Sequence, residues 1–412
     1  MSLSISASNL EPYGEAISRE QLRFDRDGII GRIWKHDPTV WKTEDVEISN
    51  RLGWLEAPAA AVPFLEEAES FAAEIKNACF SRVLLCGMGG SSLAPEVFSR
   101  IFGPPEDGLS LEVLDSTDPA AVLRCARTLP EGKTLFLISS KSGTTLETAS
   151  FMNYFHARTR ERLGPAPAAA SFAAITDPGS FLESEARRLG FRRIFPGNPD
   201  IGGRFSVFSP FGLVPAALLG LPLRAFLSEA REAVGTCRRL RAGENPGANL
   251  GIILGTLARA GRDKAVFLMS APLQDFGAWV EQLLAESTGK EGQGILPIVR
   301  PTAAPSSQPA GDRLTVAIGL AGDAALAESV NKARERGEPV ISMTLEDPIE
   351  LGAQFFLWEF ATAVAGTVLG INPFDQPNVA LSKKKTEAAL NVFMKSRTFP
   401  EESSTWEEET LA

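Results

Sequence analysis

The chain has 412 residues, of which 44% are hydrophobic and 22% charged, an ordinary globular balance that excludes collagen, disorder and coiled coil; at roughly 150 residues per domain it has room for two or three domains. With 41 Lys plus Arg against 51 Asp plus Glu, the formal charge of -10 sets the global field against nucleic acid and anionic membranes, and no basic patch works against it. Four scattered cysteines, Cys79, Cys86, Cys125 and Cys237, form neither a disulfide framework nor a CxxC zinc pair, so they are expected to be buried thiols in a reducing compartment. No basic n-region precedes an apolar core near Met1, and the apolar stretches 211–227 and 360–371 are short or broken by Pro215, Pro222 and glycines; a cytoplasmic protein without a membrane span is the expectation.

Residues 1 to about 55 show no strand-like run and hold Trp34, Trp41 and Trp54 among charges, which predicts an amphipathic helical arm. From Ser81 onward, short apolar runs alternate with helical periodicity: 82–86, 111–114, 134–138 and 172–175. After a helical stretch around 227–242 the alternation recurs, with strands at 264–269, 294–299, 313–318 and 339–343 and helices near 276–286 and 324–336. Continuous apolar strands spaced by helices predict α/β architecture with parallel sheets covered on both faces. The segment from Arg300 to Gly311 reads as a surface loop, 350–370 as a largely buried helix, and Glu401–Glu409 as a frayed acidic end.

Ligands of open parallel sheets bind where strands end, so two loops stand out. Cys86-Gly-Met-Gly-Gly-Ser-Ser follows a strand and opens a helix, but Ser92 holds the sixth position of a dinucleotide fingerprint and no Gly-Lys-Ser/Thr follows. Ser140-Lys-Ser-Gly-Thr-Thr145 crowds hydroxyls and a lysine at a helix start, where free N–H groups suit a phosphate monoester. Helix capping is the alternative for any one of these residues, and four hydroxyls exceed what a cap needs.

Gly87-Met-Gly-Gly-Ser-Ser-Leu-Ala-Pro, Ser140-Lys-Ser-Gly-Thr-Thr-Leu-Glu-Thr, Gly202-Gly-Arg-Phe-Ser-Val-Phe-Ser, Glu286-Ser-Thr-Gly-Lys290 and Asn372-Pro-Phe-Asp-Gln-Pro-Asn-Val together resemble the glucose-6-phosphate isomerase family, with most likeness to the isomerase half of bifunctional transaldolase/glucose-6-phosphate isomerases. The resemblance implies two sugar-isomerase (SIS) domains, each a five-stranded parallel sheet between helices. The boundaries expected from it are a helical arm at 1–55, a first domain at 56–215 with the phosphate loops, a second at 216–371, and a C-terminal segment at 372–412. It implies a glucose 6-phosphate to fructose 6-phosphate isomerase working through a cis-enediolate, with Glu286 as general base, Arg204 steadying the enediolate and Lys383 assisting ring opening. Gly90, Ser91, Ser140, Lys141, Ser142, Thr145, Gln282 and Gln376 would bind the sugar phosphate. Neither metal nor redox cofactor is implied, and a homodimer is. Lys383 competes with its neighbours in the lysine run 383–385.

The family generally adds a ring-opening histidine, contributed across the dimer, after the glutamate motif. This sequence has 2 histidines, His36 and His156, and both precede Glu286. His156 reads as an interior or surface histidine, and His36 would reach a neighbour only through a swapped arm. Alternatives of other kinds are a non-catalytic sugar-phosphate sensor, or an isomerase of another phosphosugar such as mannose 6-phosphate or a heptose phosphate.

Overall fold

A computed structural model describes residues 5–104, 108–299 and 311–399. Within it the chain forms two compact units, Met1–Phe374 and Asp375–Ala412. Residues 300–310 of the expected Pro- and Ser-rich loop, and the acidic stretch 401–409, lie outside the described residues.

The larger unit is built on two five-stranded sheets. Chain order begins with β1 (Ile5–Ser8), then β2 (Arg82–Gly87), β3 (Ser110–Leu114), β4 (Thr134–Ser139), β5 (Phe172–Thr176) and β6 (Arg193–Pro196). It continues with β7 (Lys264–Met269), β8 (Leu296–Ile298), β9 (Arg313–Leu320) and β10 (Val340–Leu345). The first sheet runs β3-β2-β4-β5-β6 and every pairing in it is parallel. Its side chains alternate between two cores. Val83, Leu85, Leu135, Leu137, Ala173 and Ile175 join the large central core, while Leu84, Cys86, Phe136, Ile138, Phe172 and Ala174 face a second one. Both faces are buried, which is why these strands read as unbroken apolar runs.

The second sheet runs β1-β10-β9-β7-β8 and departs from expectation in one respect. β1 lies within the predicted arm and pairs antiparallel with β10, Ile5 opposite Met343 and Ser8 opposite Val340, so the arm holds a strand and this sheet is mixed rather than all-parallel. The remaining pairs are parallel. Much of the rest of the arm is helical, with Gly14–Arg26 the longest piece, while residues 42–48 are irregular. It is anchored by its tryptophans: the Trp34 indole donates to the Cys237 carbonyl at 2.9 Å and the Trp41 indole to the Ala363 carbonyl at 2.8 Å, while Trp54 packs on Phe205.

The helix Leu351–Leu369 is buried along its whole length. It packs against the helices Pro246–Arg259, Leu223–Cys237 and Phe276–Thr288. Gly251 and Gly255 permit close approach to the first of these: a Cβ at either would stand 2.6 or 2.7 Å from Val364 or Val368. Three of the four cysteines are buried, but Cys79 is exposed at a turn with φ of 62°, which corrects the expectation for that thiol. Among the described residues no helix is long and apolar enough to cross a membrane.

Candidate active site

The β3-β2-β4 order means that the chain leaves β2 in one direction and returns to β4 on its other side. Loops diverge at such a switch point and leave a crevice beyond the strand ends. The two loops singled out in the sequence follow these two strands. They are joined directly, since Ser139 Oγ donates to the Ser91 carbonyl at 2.8 Å.

The glycine turn after β2 is packed from the other side by the Gly202-Gly203-Arg204 turn. A Cβ on Gly90 would lie 2.2 Å from the Gly203 carbonyl carbon, closer than any side chain tolerates, so Gly90 is required by backbone packing. Gly89 has φ of 53° and approaches the side-chain amide of Gln282. Arg204 thereby emerges beside the crevice, with 3% of its surface exposed.

The helix Phe276–Thr288 supplies the facing wall. Its apolar face buries Phe276, Trp279, Val280, Leu283 and Leu284, which orients Gln282 and Glu286, four residues apart, along one polar edge. Gln282 Nε2 donates to Glu286 Oε2 at 3.1 Å, and Arg204 Nη1 donates to Glu286 Oε1 at 3.0 Å. Arg204 also donates from Nε to Ser287 Oγ at 2.7 Å and from Nη2 to the Pro373 carbonyl at 2.6 Å. A carboxylate and a guanidinium in contact in a largely dry wall offset each other's desolvation. The structure thus brings together Gly90, Ser91, Arg204, Gln282 and Glu286.

The loop after β4 is arranged differently. The helix Leu146–Leu163 starts after Thr145, which occupies the cap position without a side-chain capping bond. Its hydroxyl accepts instead from Ser140 Oγ at 3.2 Å, and Thr144 Oγ1 donates to Ser142 Oγ at 3.1 Å. Ser142 and Thr144 are exposed and Ser140 is buried. Gly143, with φ of 67°, lies tight against the Leu182 amide and the Ser180 side chain. Lys141 is held inside the protein: its ammonium pairs with the Asp177 carboxylate and donates to the Asn198 carbonyl at 3.0 Å. Burial pulls this ammonium below its ordinary pKa, with Asp177 acting in the opposite direction.

Gln376 and Lys383 belong to the second unit, where Gln376 precedes the helix Pro377–Ser396 and Lys383 is exposed on it. His36, in the arm, lies 3.2 Å from Glu56, just beyond its end. His156 packs on Phe172 and Phe191, and burial together with Arg160 and Arg188 lowers its pKa. Asp177, Ser287 and the carbonyls of Asn198 and Pro373 were not foreseen from the sequence as parts of the site. For Ser287 a signal was available, since it lies inside the glutamate motif.

The two-sheet architecture is shared with solved phosphosugar isomerases. Tagatose-6-phosphate ketose/aldose isomerase of Escherichia coli aligns over 86% of this chain and 95% of its own with a TM-score of 0.52 at 13% identity. Glucose-6-phosphate isomerase of Chlamydia trachomatis aligns over 89% of this chain and 78% of its own with a TM-score of 0.67 at 21% identity. A hypothetical protein of Thermus thermophilus covers 94% of this chain and all of its own with a TM-score of 0.80 at 26% identity. The fold is therefore that of a SIS-type phosphosugar isomerase. In sequence, residues 69–295, more than half the chain, match the family model described as phosphoglucose isomerase. A glucose-6-phosphate isomerase of Cyanothece sp. is 28% identical over 88% of this chain and 75% of its own length. The chain belongs to the phosphoglucose isomerase family.

Proposed function

We propose that this protein interconverts glucose 6-phosphate and fructose 6-phosphate by proton transfer between C1 and C2 of the open-chain sugar. In this reading Glu286 takes the C2 proton of the aldose and returns it to C1. Arg204 neutralises the oxyanion that develops on the intervening cis-enediolate. A buried guanidinium is effective there because its field is little screened by water. The observation that carries the proposal is the 3.0 Å contact between Arg204 and Glu286, made across the crevice by residues 82 apart in sequence. Gln282, donating from Nε2 to Glu286 Oε2 at 3.1 Å, holds the second oxygen of the same carboxylate.

The phosphate would sit on the backbone and hydroxyls of Gly90, Ser91, Ser140, Ser142 and Thr145, at the start of the helix Leu146–Leu163. Lys141 contributes by holding Asp177 and the Asn198 turn, as a positioning residue. Gln376 is assigned to substrate binding and Lys383 to ring opening. These two roles, the homodimer, the likeness to the transaldolase-fused isomerases and the domain limits at 56–215 and 216–371 rest on the sequence resemblance, and the cytoplasmic location rests on the cysteine usage and apolar patterning of the sequence.

The test is initial-rate conversion of fructose 6-phosphate to glucose 6-phosphate, with EDTA and with Glu286→Gln. Turnover should survive EDTA. The variant should lose roughly 1,000-fold or more in kcat, because a general base contributes about 100- to 10,000-fold, while still binding the sugar phosphate. Retained turnover in Glu286→Gln would remove Glu286 as the base.

A further inference from the structure

We propose that Ser287 is a positioning residue that fixes the plane of the Arg204 guanidinium, an inference resting on the reading of Arg204 given above. Arg204 is 3% exposed and Ser287 fully buried, so this contact is sheltered from competing water. Ser287 follows Glu286 directly in the last turn of the helix Phe276–Thr288, and both side chains reach the same guanidinium: Glu286 at Nη1, 3.0 Å away, and Ser287 at Nε, 2.7 Å away. The Pro373 carbonyl takes Nη2 at 2.6 Å. A planar fork bonded on each of its three nitrogens cannot rotate without breaking one of these bonds.

The use of the Ser287 hydroxyl is unusual for its position. Hydroxyls within helices commonly bond back to the carbonyl one turn earlier, and the next residue does so, Thr288 Oγ1 donating to the Leu284 carbonyl at 2.7 Å. Ser287 Oγ instead accepts from Arg204. The helix end thus presents an anionic prong that reacts and a neutral prong that does not. When Glu286 takes up the substrate proton, its carboxyl becomes neutral and its hold on Nη1 weakens. Ser287 and Pro373 keep the guanidinium in place at the moment the enediolate charge develops. Ser287 touches neither substrate nor reacting atoms in this account; it acts through Arg204.

The experiment compares Ser287→Ala, which removes the acceptor, and Ser287→Cys, a near-isostere with a weak acceptor, each made in the wild-type chain and in Arg204→Lys. In the wild-type background Ser287→Ala should lower kcat roughly 10-fold with KM changed less than about twofold, as for loss of an interaction made in the transition state. Ser287→Cys should fall between. Affinity for a hydroxamate mimic of the enediolate should drop by the same factor as kcat, while affinity for a sugar-alcohol 6-phosphate, which mimics only the ground state, should hold. In the Arg204→Lys background, which removes the Nε donor, the Ser287→Ala loss should shrink to within about twofold. An undiminished loss there, a change in melting temperature with kcat unaltered, or equal weakening of both ligands would overturn the inference. Should the alanine variant fail to fold, Ser287→Cys carries the same comparison. If Arg204→Lys alone keeps full turnover, the role given to Arg204 falls, and the role of Ser287 falls with it. Loss in Arg204→Lys with an additive Ser287→Ala effect overturns only the latter.

Discussion

Each sheet has a place where successive crossovers depart in opposite directions, between β2 and β4 in the first and between β7 and β9 in the second. Topology alone would allow a ligand at either. At the second, Ser270 follows β7 and is buried, donating to Asp323 Oδ2 at 2.6 Å and accepting from the Leu320 amide at 2.9 Å. The Leu326 side chain stands over Gly319 so closely that a Cβ there would be 2.2 Å away. Hydroxyl and backbone are consumed by the fold. At the first, Ser142 and Thr144 are exposed, Gly89 and Gly90 are partly accessible, and the hydroxyls bond mainly to one another. The difference teaches that a crevice becomes a site when its polar groups are left with capacity to spare, and that the sheet order only determines where to look.

The severest way to break this contrast is to close the first crevice from within. Gly90→Ala would drive a methyl group into the Gly203–Arg204 backbone, which has to move by about an ångström, and a displacement of that size at reacting groups costs about 100-fold. We expect kcat/KM for fructose 6-phosphate to fall by roughly that factor while the variant stays folded by circular dichroism; near-normal turnover would show that the two turns are less tightly coupled than their packing indicates.

A smaller effect should follow from loosening the loop after β4. Lys141→Met and Asp177→Asn each break the buried-side pairing between that loop and the turn at Asn198. Each should raise KM about 10-fold with kcat nearly retained, the size expected from losing one charge-assisted hydrogen bond of about 1.5 kcal/mol. Matching effects in the two variants identify Lys141 as a support; a much larger loss for Lys141→Met would mean that its ammonium meets the phosphate itself.

The smallest effect lies outside both crevices. Glu359, on the fully buried helix Leu351–Leu369, has neither carboxylate oxygen bonded among the described residues, and burial raises its pKa well above the ordinary 4.5. Its folded form therefore holds a proton that the unfolded chain releases once the pH exceeds the ordinary carboxylate value. Stability from this group is complete below that value and declines as pH rises toward the raised one. Denaturant titrations of Glu359→Gln between pH 4 and pH 8 should show this decline flattened, with the variant gaining about 1–2 kcal/mol relative to wild type toward alkaline pH. Unchanged curves would require a partner for the carboxylate.

Eight of the ten strands were legible because their apolar runs are continuous, as in Val83-Leu-Leu-Cys86, where both faces are buried. β1 and β6 were not. Ile5-Ser-Ala-Ser and Arg193-Ile-Phe-Pro are four-residue edge strands with solvent on part of their surface, too short and too polar to form a periodic signal. At the site, the hydroxyl-rich loop was legible because its residues are neighbours in sequence. The Arg204–Glu286 contact was reachable only through family motifs, since no local spacing relates residues 82 apart. Gly90 shows a further limit: a glycine placed for a ligand and one placed for a backbone crossing look alike in sequence, and here the Gly203 turn supplies the packing requirement.

The short strand β1 has a consequence for how this protein would fail. By pairing with β10 it saturates the outer row of amides and carbonyls on a strand that carries Val340, Ile341, Met343 and Leu345. Clipping a few residues from the amino end would leave the crevice beside β2 and β4 untouched while baring an apolar ribbon ready to recruit another chain. Loss of material to insoluble association would then precede any loss of turnover per molecule.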